Sequence, residues 1–360
     1  MGITRTVSRP TIGAVLCAAL LTATAVQGFA QGGAAPALKA VTLNFAAPHT
    51  PPQTYAVVDV AFIDRIKELS GGKITLKYFP GGTLIGGADS ATELAKGVAD
   101  ISWPRPGYSQ NGYLLYNAFI IFMYNLDPAK DVQAEFEIFK KVHKDYPELM
   151  AEYEGLYPYA VNAGGTSAYM FMKKPFKALA DIKGKTIRAT GSWAKVVKGL
   201  GGEPVTIPIA DTYLALEKGT IDGTLGLPVT TLKAENLAEV VKYAMDIGLN
   251  MSPYYAVAFN KAKWERIQPE AQSLFMKEVG WYEEKIVQQQ QSEVDPAIDH
   301  GKRQGVTFVD LPEADRAGLY DIMDKINRDA LKPLDAKGLK ATEIYEYTQK
   351  LIKQYKASKK

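Results

Sequence analysis

Short strand patterns alternate with helical patterns from Lys39 onward, and this alternation restricts the fold more than any other feature of the sequence. Apolar and polar residues alternate over 41–45 and again over 74–78. Between these runs, apolar residues recur at helical spacing over 58–69, and Gly71-Gly72 ends that pattern. A strand, a helix and a strand in this order predict parallel strands covered by helices, so the expected fold class is α/β.

An eight-residue pattern occurs twice in the chain. Residues 94–101 (LAKGVADI) and 216–223 (LEKGTIDG) both give a helix end, a glycine, two further residues, an aspartate and the start of a strand. Coincidence is the alternative for so short a pattern. If the repeat is real, it predicts two similar α/β lobes with a ligand cleft between them and hinge closure as the expected motion.

Helices dominate the last third of the sequence. Apolar spacing predicts a long helix that begins near Pro269, and we expect Pro296 to kink or break it. Two more helices are expected near 317–331 and 341–355. Earlier in the chain, Ser90 and Glu93 have the spacing of a capping box that opens a short helix.

The N-terminal segment has the pattern of a secretory signal peptide. Residues 1–30 contain Arg5 and Arg9 but no acidic residue, then an apolar stretch over 11–26 and small residues before Gln31. The apolar stretch is shorter than the roughly 20 residues that a membrane-spanning helix needs. The only cysteine, Cys17, lies within this segment. The mature chain is therefore expected to be exported and to fold without disulfides.

Charge and missing motifs argue against most other functions. Without Arg5 and Arg9 the chain has 40 basic and 39 acidic residues, a net charge of +1, which gives no electrostatic footprint for nucleic acid. The sequence contains no G-x-S-x-G, Walker A, G-x-G-x-x-G or H-E-x-x-H motif. The histidines are scattered, and His143 is expected to be solvated on a polar helix. We therefore expect no enzyme, cofactor or metal site; a secreted hydrolase is the alternative that these absences disfavour.

Arg188 is the main candidate for ligand binding. It closes a short β-branched run in the segment 182–190 (IKGKTIRAT). A guanidinium matches a carboxylate with two parallel hydrogen bonds, so we predict that Arg188 anchors an organic anion. A solvated surface arginine is the alternative. Because ligands of parallel sheets bind in strand-to-helix loops, His49 is a second candidate, whereas Asp222 fits a turn cap better than acid chemistry.

The segment 103–108 (WPRPGY) directly follows a predicted strand and is the second element expected at the cleft. Trp103 is either core packing or a wall that stacks on the ligand. Arg105 could hold a second acid group, and Tyr108 lies close by in sequence.

Several segments together resemble the periplasmic substrate-binding proteins of tripartite ATP-independent periplasmic (TRAP) transporters, the DctP family. The resemblance lies in 180–188 (ADIKGKTIR), 201–205 (GGEPV), 210–223 (ADTYLALEKGTIDG) and 239–243 (EVVKY), with shorter matches in 70–74, 97–101 and 260–264. No single segment is specific, but together they cover nearly all of the mature chain in the family's order.

The resemblance implies a two-lobed periplasmic-binding-protein-like fold with a long helix spanning both lobes. It also implies capture of an organic acid in the cleft, with the family's selective arginine at Arg188, and delivery to the small and large integral membrane subunits of a TRAP transporter. The expected location is the periplasm. The expected division is a signal peptide over 1–30, a first lobe over 38–164 with 253–292, a second lobe over 165–252 with 293–340, and a C-terminal helix and tail over 341–360.

The chain departs from better-known members of the family at two places. The segment 165–169 (GTSAY) stands where a second arginine is common, and 222–228 (DGTLGLP) replaces a more polar sequence. Thr224 and Leu227 are therefore expected at the cleft, with Ala168 and Leu225 making it less polar. A buried ligand hydroxyl without a partner costs about 1 to 3 kcal/mol, which favours an aromatic or other apolar monocarboxylate.

Two alternatives remain open at this point. A C4-dicarboxylate binder of the same family would use Arg105 for its second acid group. A binding protein of an ATP-driven importer, or of a sensor, could share the same fold.

Overall fold

The computed structural model describes residues 37–51, 53–86, 89–105, 113–119, 121–163, 166–250 and 254–359. The expected signal peptide and Tyr108 lie outside these residues. In chain order the strands are β1 Val41–Ala46, β2 Ile74–Phe79, β3 Ile101–Ser102, β4 Leu156–Asn162, β5 Ser167–Met172, β6 Thr186–Arg188, β7 Glu203–Val205, β8 Gly223–Leu227, β9 Tyr243–Asn250, β10 Tyr254–Asn260 and β11 Thr307–Val309.

The helices are α1 Thr54–Leu69, α2 Ser90–Ala95, α3 Leu114–Phe119, α4 Val132–Asp145, α5 Glu148–Ala151, α6 Ser192–Gly199, α7 Ile209–Lys218, α8 Thr231–Ala234, α9 Leu237–Val240, α10 Lys261–Arg266, α11 Pro269–Arg303, α12 Glu313–Asp335 and α13 Ala341–Ser358. A 3₁₀ turn spans Leu179–Ile182. No helix within the described ranges is both long enough and apolar enough to cross a membrane.

The strands form two sheets, which confirms the α/β class and the two-lobed fold. The first sheet has the order β2-β1-β3-β10-β4, and the second has the order β11-β9-β5-β8-β6-β7. The predicted strand-helix-strand unit is present, because β1 pairs in parallel with β2 and with β3. Both sheets are mixed, since β10 runs antiparallel to β3 and β4, and β5 runs antiparallel to β8 and β9.

The repeated sequence pattern builds the same structure in both sheets. The backbone N–H of Asp100 donates to the carbonyl of Asn44, and the Asp100 carboxylate accepts from the N–H of Asn44 at 2.7 Å. Asp222 makes the same pair of hydrogen bonds with Thr186, at 2.7 and 2.9 Å. Each aspartate thus ties a strand to its parallel neighbour, which is a structural role for the repeat and for Asp222.

Helix α11 spans both lobes, as the resemblance implies. It packs on α1 and β4 at the first sheet and on α8 and β11 at the second. We expected Pro296 to kink or break this helix; a break does not occur, since the helix continues to Arg303. Its last turns are held by close packing, with Ala297 buried and Gly301 set against Leu232 and Phe308.

Helices α3 and α4 share a core with the second sheet and with α12 and α13. The division expected from the sequence placed this stretch in the first lobe as part of residues 38–164. That division stays a prediction. The packing differs from it at α3 and α4, which share their core with the second sheet.

Two local expectations are corrected. His143 is buried rather than solvated, because its ring packs on Phe139 and Phe119, and burial lowers its pKa to about 4. Ser90 does not act as a helix cap. Its hydroxyl instead accepts a hydrogen bond from the backbone N–H of Arg105 at 2.9 Å, which ties the loop after β3 to the start of α2.

Candidate functional site

A cavity of about 330 Å³ lies between segments of the two sheets. The first sheet contributes the loop after β1, the start of α1, Arg105 after β3 and Tyr254 at the start of β10. The second contributes the end of β6, the end of β8, and residues of α6, α7 and α8. The loops after β1, β3, β6 and β8 follow the carboxyl ends of strands, where open α/β sheets bind their ligands.

Arg188 lines this cavity and is almost fully buried, with 3% of its surface exposed. It is the last residue of β6, where its backbone lies between Thr224 of β8 and Val205 of β7. Its Nε donates to the carbonyl of Ile207 at 3.2 Å. The guanidinium is therefore oriented by a strand and a backbone hydrogen bond.

Arg105 lines the same cavity from the first sheet. Its Nη1 donates to the Tyr254 hydroxyl at 2.9 Å. Its guanidinium carbon lies 5.3 Å from the ring centre of Trp103, 5.8 Å from that of Tyr55 and 5.9 Å from that of Tyr254. These aromatic faces stabilise the cation and fix its direction.

His49 also lines the cavity and is buried. Its Nε2 lies within hydrogen-bond distance of Nη2 of Arg105. Burial, and then the positive charge of Arg105, hold the pKa of His49 well below its ordinary value. The imidazole is therefore neutral, and its Nε2 accepts from the guanidinium.

Trp103 does not line the cavity but supports the residues that do. Its side chain is fully buried, and its ring packs edge-on against His49. Its indole N–H donates to the carboxylate of Asp59 at 3.0 Å. Asp59 also accepts from the hydroxyls of Tyr78 and Tyr282, and burial raises the pKa of Asp59 to about 7 although these hydrogen bonds lower it.

The predicted residues of the second sheet divide into two groups. Leu227 lines the cavity. Thr224 is fully buried beside Arg188 in the sheet and does not line it, and Ala168 and Leu225 belong to the core beneath. Arg188, Arg105, His49 and Leu227 are thus the predicted residues that the structure brings together.

Trp193 is an aromatic wall that the sequence analysis missed. It lines the cavity from α6, and its ring lies directly over Gly226 of β8. Gly226 has φ +83° and lies opposite a register shift in the pairing of β8 with β5. A glycine inside a strand pattern often marks such a bulge, so Gly226 was the signal that could have located this wall.

Glu235 is the second residue that was missed. It follows α8 and lines the cavity, where its carboxylate accepts a hydrogen bond from Nε2 of Gln53 at 2.9 Å. Burial raises the pKa of Glu235 to about 6, and the charge of Arg188 opposes this shift. No local pattern predicts this contact, because Gln53 and Glu235 are far apart in sequence and lie on different lobes.

The described residues include no cluster of three or more histidine, cysteine, aspartate or glutamate side chains that could hold a metal ion. The described lining residues include two guanidiniums, one carboxylate, a neutral imidazole and aromatic rings. Such a set can bind and orient an anion.

Comparisons with known proteins match this chain to one family. The profile of the bacterial extracellular solute-binding proteins, family 7 (DctP), matches residues 44–333. A relative in Escherichia coli, the 2,3-diketo-L-gulonate-binding periplasmic protein YiaO, is 26% identical over 297 residues, which are 81% of this chain and 87% of YiaO.

Two solved structures share the fold. A TRAP solute-binding protein from a marine metagenome, specific for aromatic acid ligands and co-crystallised with 3-hydroxybenzoate, gives a TM-score of 0.77 at 22% identity, covering 88% of this chain and 99% of that one. A TRAP solute-binding protein from Rhodoferax ferrireducens in complex with benzoate gives a TM-score of 0.76 at 20% identity. That match covers 89% of this chain and 100% of the Rhodoferax chain. The resemblance noted in the sequence is confirmed: the chain belongs to the DctP family of extracellular solute-binding proteins.

Proposed function

We propose that this protein binds a small aromatic or otherwise apolar monocarboxylate in its interlobe cavity and delivers it to the membrane subunits of a TRAP transporter. The observation that carries the proposal is the nearly complete burial of Arg188 in a cavity whose lining includes four large aromatic residues. The family binds solutes extracellularly and is not an enzyme family.

The walls of the cavity support an apolar ligand body. Besides Leu227 and Ile209, its lining includes four large aromatic residues, Tyr55, Tyr116, Trp193 and Tyr254. Burial of apolar surface contributes roughly 25 cal/mol per Å², so these walls favour a ring over a hydroxylated chain. The cavity volume is near the lower end of the usual range for ligand pockets, about 300 to 1,000 Å³, which favours a small ligand.

The similar structures that hold benzoate and 3-hydroxybenzoate are consistent with this ligand class. YiaO is named for a hydroxylated sugar acid, so membership of the family alone does not decide between the classes. The aromatic lining is the argument for this chain.

A C4-dicarboxylate is the second candidate, and one observation favours it. Arg105 lies in the same cavity as Arg188, so two acid groups could each meet a guanidinium. This alternative makes a different prediction for the order of affinities.

The first test is a calorimetric screen of benzoate, 3-hydroxybenzoate, butyrate, succinate and galacturonate. We expect the aromatic monocarboxylates to bind most tightly. We also expect Arg188→Ala to weaken that binding at least about tenfold, because loss of one partner of a buried charged pair costs about 2 to 5 kcal/mol.

Arg303→Ala is the matched control, since Arg303 is exposed at the end of α11 and should be replaceable without effect on affinity. Arg188→Lys keeps the charge but removes the planar fork, so it should bind between wild type and Arg188→Ala. Unchanged affinity in Arg188→Ala would refute the anchor. Tightest binding of succinate, abolished by Arg105→Ala, would replace the monocarboxylate proposal by the dicarboxylate one.

A further inference from the structure

The charges that line the cavity do not favour ligands with one acid group and ligands with two acid groups equally. Among the described lining residues, only Arg105, Arg188 and Glu235 carry charged side chains, because His49 is neutral. With Glu235 ionised, the formal charge of the cavity is +1. Lys233 and Glu293 line a separate pocket nearby, and their charges are opposite.

The position of Glu235 is fixed from both lobes. Its backbone N–H donates to the carbonyl of Thr231 at 3.1 Å, which continues α8 by one residue. Its carboxylate accepts from Gln53 of the first lobe. The side-chain amide oxygen of Gln53, Oε1, accepts a hydrogen bond from the backbone N–H of Thr50 at 2.7 Å, so the side-chain amide nitrogen, Nε2, faces Glu235. A donor held in this way favours the ionised carboxylate.

Glu235 and Arg188 also act on each other. They line the same cavity, and the positive charge of Arg188 opposes the effect of burial on Glu235. Part of the positive potential at Arg188 is therefore cancelled before any ligand enters.

We propose that Glu235 is a specificity determinant that limits this cavity to ligands with one carboxylate. The inference rests on the proposed function. A monocarboxylate brings one negative charge to a cavity of formal charge +1. A dicarboxylate brings two, and its second acid group shares a desolvated space with the Glu235 carboxylate. Like charges placed together in a space with little water repel each other, so the dicarboxylate is rejected although a second arginine is present.

The test compares ligands that share a body and differ by one acid group, namely butyrate with succinate and benzoate with isophthalate, by calorimetry at pH 7.5. Glu235→Gln keeps the shape and the oxygen that accepts from Gln53 but removes the charge. We expect it to raise the affinity for each dicarboxylate, relative to its monocarboxylate, by at least about tenfold over the wild-type ratio, because that factor corresponds to only about 1.4 kcal/mol.

Two controls separate the charge of Glu235 from other effects. Glu239→Gln makes the same charge change on an exposed residue of α9 and should leave the ratio at its wild-type value. Gln53→Ala removes the hydrogen bond across the cavity but keeps the Glu235 charge, so it should still reject dicarboxylates. Thermal unfolding followed by circular dichroism checks that each variant is folded.

The outcomes distinguish this inference from the proposed function. Suppose that the wild type binds a monocarboxylate through Arg188. If the Glu235→Gln variant then binds no dicarboxylate, or keeps the wild-type ratio of dicarboxylate to monocarboxylate affinity, the role of Glu235 is refuted and the proposed function stands. If Glu239→Gln shifts the ratio equally, the effect is one of net charge and the inference is also refuted. If no carboxylate binds the wild type, both proposals fail.

Discussion

At the scale of single residues, the two arginines of the cavity are held by different means. Arg188 is fixed by its strand and by the Ile207 carbonyl, whereas Arg105 is fixed by aromatic rings and the neutral His49. A strand-end arginine could be predicted from its local sequence. The aromatic surroundings of Arg105 could not, because Tyr55 and Tyr254 are distant in sequence and only tertiary packing brings them to it.

Asp59 supports this arrangement from beneath through Trp103. Burial raises the pKa of Asp59 to about 7 in the folded protein. The Asp59 carboxyl group therefore holds its proton more tightly in the folded state than in the unfolded chain. The resulting stabilisation is fully present below the unfolded value of about pH 4 and is lost as the pH rises through about 7.

We therefore predict that Asp59→Asn flattens the dependence of the free energy of unfolding on pH between about 4 and 7. This one group contributes at most about 1.4 kcal/mol per pH unit to that dependence. Urea denaturation at several pH values measures it. Asp64→Asn, an exposed position on the same helix, should keep the wild-type profile. Parallel profiles for wild type and Asp59→Asn would contradict the prediction.

At the scale of secondary structure, the sequence predicted the elements from β1 to β3 and the C-terminal helices, because apolar periodicity is a local signal. The aspartate repeat was also visible in the sequence, and the structure shows the hydrogen bonds that each aspartate makes. The sequence analysis placed Trp103, Thr224 and Leu225 at the cavity, whereas they lie behind it, since which face of a strand meets a ligand depends on register. The bulge at Gly226 alters that register within β8.

Gly226→Ala tests this bulge. A Cβ at position 226 would lie 2.5 Å from the Trp193 ring, and the residue has a left-handed backbone. We predict a loss of about 1 to 3 kcal/mol in the free energy of unfolding, and weaker binding of aromatic acids because Trp193 must shift.

Gly280→Ala is the control for the glycine substitution, because Gly280 is exposed within α11 and a Cβ there would contact nothing within 4 Å. It should stabilise the protein by up to about 1 kcal/mol. Equal unfolding free energies for the two variants would show that Gly226 is not under steric constraint.

At the scale of the whole molecule, the cavity is built from both lobes and the Gln53–Glu235 hydrogen bond crosses it. Lobe closure is therefore the expected response to a ligand. We predict that a saturating carboxylate identified in the screen lowers the radius of gyration measured by small-angle X-ray scattering.

Arg188→Ala under the same ligand concentration should show no such decrease, and Gln53→Ala without ligand should give a larger radius than wild type. If ligand leaves both the scattering curve and the amide-exchange pattern of the wild type unchanged, closure does not accompany binding in this protein.

The strand order of the first sheet also sets the earliest moment at which that sheet can be completed. β10, near residue 260, lies between β3 and β4, which precede it by about 150 and 100 residues. At about 5 to 20 residues per second of synthesis, β10 is made on the order of 10 to 50 s after the N-terminal strands of its sheet. A nascent chain of this topology stays incomplete until most of it has been made, which leaves time for a protein of an extracellular family to be exported before it folds.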